Sequence, residues 1–428
     1  MKKTVVESPR IHEQYIRMEH QSGLTILLYP MKGFCTAYAL FGTKYGSVDN
    51  CFKTGDDADF VTVPDGIAHF LEHKLFESED GDAFTLFAKT GAEANAFTSF
   101  DKTCYLFSCA DHFEESLKAL ISFVQAPYFT QKTVEKEQGI IGQEIRMYED
   151  LPSWRVMFNL LEGLYVNHSV KVDIAGTVES IAKIDADLLY RCYHTFYNLS
   201  NMVIAVAGNF DPDTAEKIIV EGLKESKPVS IERKGYDEPR EVNRKEVTQS
   251  LDVAIPLFYF GYKVKPADGA MEGLRQQIQL EILLDVLAGP TSDFYNEMYG
   301  KGLLNVNFGT EVFGGRGFLA TMFGGESKDP KAVLEAFNKM ISDKKQKGLS
   351  EEDFLSCRNA LYGKALKGIN DAENTATAML SYEMMDVGLF DMMEVIADTS
   401  FADVEKRFAS DFDEACQSLS IVFPNQKS

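Results

Sequence analysis

Between Pro64 and His73 the chain reads Pro-Asp-Gly-Ile-Ala-His-Phe-Leu-Glu-His, and no other run narrows the possible folds so far. Ile67, Phe70, Leu71 and Leu75 recur at the three-and-four spacing of a buried helical face, and Asp65 stands where a first-turn cap is expected. His69 and His73 then project from one side of that helix, one turn apart, near enough to share a tetrahedral ion. Glu72 lies beside them, free to act as a base. Two core histidines flanking an ion-paired glutamate would satisfy the same spacing, but a chain with seven histidines in all seldom places two of them so.

The order His-x-x-Glu-His inverts the His-Glu-x-x-His pattern, in which two imidazoles hold zinc and a glutamate serves as base. Such a site lacks a third protein ligand, and a carboxylate from a second helix is a usual supply. A long helical pattern from Thr130 to Tyr148 carries Glu137 and Glu144 two turns apart on one face, with Ile141 and Ile145 on the packed side. Glu144 is the candidate third ligand, with Glu137 behind it. Taken singly, a glutamate on a charged helix is more often simply solvated.

A chain of 428 residues suits two domains of about 200 residues each. The opening Met1–Arg10 has no apolar core for a signal peptide, and no uncharged run is long enough to span a bilayer, so a cytoplasmic protein is expected. Seven scattered cysteines without a Cys-x-x-Cys read as buried small apolar residues. A net charge of -22 argues against nucleic acid or an anionic membrane as partner.

Ahead of the histidine run come strand patterns over Ile16–Tyr29 and Thr36–Gly42 and a polar loop from Gly46 to Asp59. After it, residues 91–107 alternate polar and apolar on both sides of Asp101-Lys102, the pattern of a hairpin. Should this hairpin lie at a sheet edge near the metal, the backbone at Asn95 and Ala96 would be open to an extended peptide as an added strand. An ordinary hairpin with one buried face is the other reading. Pro228, Gly235, Pro239 and mixed charges mark a linker over residues 226–246, between a first domain at 1–225 and a second at 247–428. The second half repeats the style of the first, with a long helix expected over Glu351–Glu383 and a last strand at Leu419–Phe423. It has no histidine after His194, so it cannot hold a copy of the site and is left with packing, substrate binding or partner contact. A phosphate-binding loop is excluded at residues 314–317, which lack the Lys-Ser/Thr ending.

Three blocks together, His69–His73, Asn95-Ala96-Phe97-Thr98 and Glu137 through Glu144, resemble the insulinase/pitrilysin family of zinc peptidases, which includes the mitochondrial processing peptidase. The likeness extends over nearly the whole chain and looks strongest to the short bacterial two-domain members, similar to the beta-type subunit of the processing peptidase. It implies an α+β fold of two similar halves, each an antiparallel sheet with helices packed on one face. It implies one Zn2+ per chain held by His69, His73 and Glu144, with Glu72 as catalytic base and Glu137 as an auxiliary acidic residue. Asn95 and Ala96 would hold substrate by their backbone. The implied reaction is endoproteolysis of peptides or unfolded segments in an enclosed chamber, with water activated at zinc giving its proton to Glu72. The chamber would be closed by a second chain in a dimer. One departure is plain: the family draws an Arg and a Tyr, seven positions apart, from a non-zinc half, and no Arg-x6-Tyr occurs in this sequence. That points to a heterodimer with a motif-less paralogue supplying the pair. The alternative implied by the same fold is a non-catalytic structural or scaffolding subunit.

Overall fold

Met202–Gly208 is apolar throughout and Ala37–Thr43 nearly so, the composition of strands covered on both faces, and both are fully buried. They form the middle of a seven-stranded sheet whose strands, in chain order, are β1 Lys2–Ser8, β2 Glu13–Glu19, β3 Thr25–Pro30, β4 Ala37–Thr43, β5 Glu93–Thr98, β6 Thr103–Cys109 and β7 Met202–Gly208. The spatial order is β1-β2-β3-β7-β4-β6-β5. Neighbours are antiparallel except β3 and β7, which run parallel with Val203 beside Thr25. The computed structural model describes residues 1–79 and 81–425.

A second sheet comprises β8 Glu246–Leu251, β9 Leu257–Lys263, β10 Gly309–Gly315, β11 Phe318–Glu326 and β12 Gln417–Pro424, in the order β8-β12-β9-β11-β10. Its first strand is parallel to its last, and the rest are antiparallel. This is the permutation of β3-β7-β4-β6-β5 repeated, so the internal duplication expected from sequence is present in the strand order. Helices packed around the sheets include α1 Ile67–Leu75, α2 Phe113–Val124, α3 Gln131–Glu149, α4 Pro152–Leu164, α5 Ala270–Ala288 and α6 Ala372–Met384. The architecture is α+β in two similar halves.

The chain forms two compact units. The first contains Met1–Ile145, Asp173–Lys234 and Leu366–Phe390; the second contains Arg146–Val172, Gly235–Ala365 and Asp391–Ser428. Each unit therefore includes a helix from the opposite half of the sequence. In the first, Ala37, Ala39 and Phe41 of β4 join one core with Ile67, Phe70 and Leu71 of α1 and Leu117 and Ile121 of α2. Tyr38, Leu40 and Gly42 alternate to the other face, where α6 lies against β4 and β7. A β carbon at Gly42 would come within 2.8 Å of Met384 and 3.1 Å of Leu380, so glycine lets this helix sit close. In the second unit α4 packs on β9 and β12, and α5 packs on β10.

Two local expectations are corrected. The helix expected over Glu351–Glu383 is two helices, Glu351–Gly368 and α6, because the Asp371 carboxylate accepts from the Asn374 amide at 2.8 Å and starts a new N-terminus. Within the expected loop, Cys51–Thr54 is a strand paired with Val61–Thr62 and with Ile231–Arg233 from the expected linker. Strands this short carry no readable alternation. All seven cysteines are free, five of them buried. No helix among the described residues is long and apolar enough to cross a membrane.

Candidate metal centre

Helix α1 begins on a glycine for a steric reason. Gly66 has φ 90°, and a β carbon there would stand 2.3 Å from the Ala175 carbonyl oxygen, a conformation and an approach that L side chains do not tolerate. Asp65, expected to cap the helix, does not. Its carboxylate accepts from Asn50 Nδ2 at 2.9 Å and its carbonyl from Ser180 Oγ at 2.7 Å, and α1 has no side-chain cap. From this fixed start Ile67, Phe70, Leu71 and Leu75 enter the core, and His69 and His73 come side by side, with ring centroids 4.6 Å apart.

Helix α3 buries Val134, Ile141 and Ile145 in the same core. Glu137 and Glu144 flank that apolar stripe on one side, two turns apart. His69 Nε2 lies 3.7 Å from Glu144 Oε1, and His73 Nε2 lies 3.4 Å from Glu144 Oε2. One ligand atom from each of the three residues falls within 4.8 Å of the others, the only such group among the described residues. His73 Nδ1 is 3.0 Å from Glu137 Oε1, so this ring donates to Glu137 and turns the Nε2 lone pair toward Glu144. The side chain of His69 is 12% exposed, against 23% for Glu144 and 26% for His73, so the site opens on the side away from His69.

The electrostatics follow from this packing. Burial, with the neighbouring His73 adding to it, depresses His69 to about 3 and keeps it neutral. Its Nδ1 is buried with no hydrogen-bond partner among the described residues. For His73 burial works against the charged form, but the Glu137 hydrogen bond and the charges of Glu144, Glu72 and Glu137 outweigh it and raise the pKa. Glu72, only 9% exposed, is pushed upward chiefly by burial, against the pull of a hydrogen bond from Thr98 Oγ1 to Oε2 at 2.6 Å.

These residues fit a metal ion. The contacts of 3.4 and 3.7 Å are too long for hydrogen bonds, yet a tetrahedron with metal–ligand bonds of about 2.1 Å has edges of about 3.4 Å. Two neutral imidazole lone pairs and a carboxylate facing one another repel unless a positive charge lies between them. The raised pKa of His73 expresses the same demand.

Strand β5 is the last in its sheet, paired among the described residues with β6 alone, with Asn95 opposite Leu106 and Ala96 opposite Tyr105. It packs beside α1, so the hairpin read from the sequence does lie at a sheet edge next to the histidines. Asn95 Oδ1 accepts from the Ala96 amide at 2.9 Å, a local bond at this edge. Thr98, which ends β5 and holds Glu72, was not singled out from the sequence for that contact. Its signal was position: two residues beyond Ala96, it shares a face of the strand with it.

Residues 53–178 match the family model described as Insulinase (Peptidase family M16), and residues 183–361 match that described as Peptidase M16 inactive domain. An uncharacterized zinc protease of Bacillus subtilis, YmfH, is 41% identical over 408 residues, 94% of each chain. A second from the same organism, YmxG, is 26% identical over 320 residues, 72% of this chain and 76% of the relative. Among solved structures, an M16-like peptidase from Alicyclobacillus acidocaldarius superposes with TM-score 0.93 at 34% identity, covering 99% of this chain and all of that one. A Helicobacter pylori protease shares the fold, with TM-score 0.82 at 17% identity over 96% of this chain and 99% of its own.

Proposed function

Because this chain belongs to the insulinase family of peptidases, family M16, we propose that it is a zinc-dependent endopeptidase acting on peptides or unfolded segments. The observation that carries the proposal is the convergence of His69, His73 and Glu144 from two helices far apart in sequence. These three residues would hold one zinc ion, and the chemistry such an ion supplies is Lewis acidity toward a carbonyl oxygen and toward water. Glu137 fixes the tautomer and orientation of His73. Glu72, buried beside the histidines, takes the proton of the attacking water and passes it to the departing amine as the C–N bond breaks. An extended peptide adds to the free side of β5, its backbone hydrogen-bonding along Asn95 and Ala96.

The reaction chamber is completed by a second chain. With no Arg-x6-Tyr in this sequence, the partner proposed is a paralogue without the histidine motif that supplies both side chains; a second copy of this chain is the alternative. A cytoplasmic location belongs to the same proposal. The test is cleavage of an unstructured quenched peptide by the purified chain, alone and with such a paralogue, before and after a chelator. Chelator-sensitive cleavage with one zinc per chain is expected. A protein that binds no zinc and cleaves nothing in either preparation would leave the scaffolding reading in its place.

A further inference from the structure

Thr98 lies where two functions proposed for this chain meet. Its backbone ends the edge strand β5, and its hydroxyl donates to Glu72 Oε2 at 2.6 Å, a short charge-assisted bond. Behind it Thr103, its cross-strand neighbour, donates to the Tyr45 carbonyl at 2.9 Å. The two threonine hydroxyl oxygens are 3.2 Å apart. Each hydroxyl has one proton. With Thr103 donating to Tyr45, the proton of Thr98 is free to go to Glu72, and the pair of threonines backs the carboxylate.

We infer that Thr98 is a positioning residue for Glu72, its hydroxyl fixing the orientation of the carboxylate through the 2.6 Å bond to Oε2. The inference rests on the peptidase reading for its catalytic meaning. The Thr98 hydroxyl holds Glu72 Oε2, and the Thr98 backbone amide adds a weaker bond to the same carboxylate. When the water-facing oxygen takes the proton, Oε2 is the carbonyl oxygen and still accepts from the Thr98 hydroxyl, so the carboxyl keeps its orientation through the transfer. Because the hydroxyl rides on β5, a peptide added to this edge also steadies the base.

The test compares Thr98→Val, which keeps the shape and removes the hydroxyl, with Thr98→Ser, which keeps the hydroxyl. In the full-length protein, with its partner chain where activity requires one, Thr98→Val is expected to lower kcat about 10- to 100-fold. KM should stay within about threefold and zinc content should not change, as expected when a group acts in the transition state alone. Thr98→Ser should stay within about threefold of the parent in kcat. A Thr98→Val kcat within about twofold of the parent, or a Thr98→Ser loss as large as the valine one, would overturn the inference. A second readout needs no activity: in crystals of the metal-free variants, the Glu72 carboxylate, left with only the Thr98 backbone amide, should shift or rotate in Thr98→Val and keep its position in Thr98→Ser. An unmoved carboxylate in Thr98→Val counts against the inference. Should the parent protein cleave no peptide, the peptidase reading fails, while this crystallographic comparison still decides whether Thr98 places Glu72.

Discussion

His73 is held between two glutamates of one helix, its Nδ1 3.0 Å from Glu137 and its Nε2 3.4 Å from Glu144. The two carboxylates address opposite nitrogens of the same ring, so one sets the tautomer and the other shares the lone pair that the tautomer exposes. Replacing Glu137 by Gln is expected to leave the fold intact and weaken zinc binding about 10- to 100-fold, read by competition with a chelating dye. Unchanged affinity would make Glu137 a bystander.

Glu144 and Glu72 are predicted to separate binding from chemistry. Glu144→Gln should lose stoichiometric zinc, measured by elemental analysis. Glu72→Gln should retain the metal and lose peptide cleavage by about a hundred- to ten-thousandfold. Metal loss in the Glu72 variant, or full zinc in the Glu144 variant, would reverse these assignments.

Gly66→Ala should destabilise the protein by about 2 kcal/mol or more in urea unfolding, since the site combines φ 90° with a carbonyl 2.3 Å from the added carbon. It should also reduce zinc affinity, because α1 cannot shift without moving His69. A variant as stable as the parent would show that the approach to Ala175 relaxes freely.

The metal-free protein should lose stability as the pH falls below the ordinary histidine range. His69 is depressed from 6.5 to about 3 by burial first and by His73 second, so below 6.5 the unfolded chain binds a proton that the folded chain refuses. The contribution is fully present above 6.5 and is lost toward 3, amounting to about 1.4 kcal/mol by pH 5.5. His73, shifted upward, has the opposite sign and adds stability toward low pH. The difference between parent and His69→Gln isolates the first effect: the variant should show a shallower fall in Tm from pH 7.5 to 5.5. Equal slopes would mean that His69 is not held neutral by burial.

The histidine pair was legible because a helix converts a four-residue interval into adjacency, whatever the rest of the fold. The position of Glu144 depends on tertiary packing, with Val134, Ile141 and Ile145 entering the same core as α1, and spacing alone left it open between ligand and solvated surface. The Asp65 cap failed because Asn50, fifteen positions earlier, takes the carboxylate, a contact that no local rule contains. The helix α6 against the first sheet was hidden for the same reason, since its apolar faces read equally well as packing in its own half of the sequence. The bond from Thr98 to Glu72 joins a strand end to a helix across 26 positions, and only the folded chain displays it.

The most direct measurement is a crystal structure of the zinc-loaded protein with anomalous data collected at the zinc edge. The account predicts one peak per chain, about 2.0–2.2 Å from His69 Nε2, His73 Nε2 and a Glu144 carboxylate oxygen. No peak among these three side chains, or a peak whose ligands exclude Glu144, would contradict it.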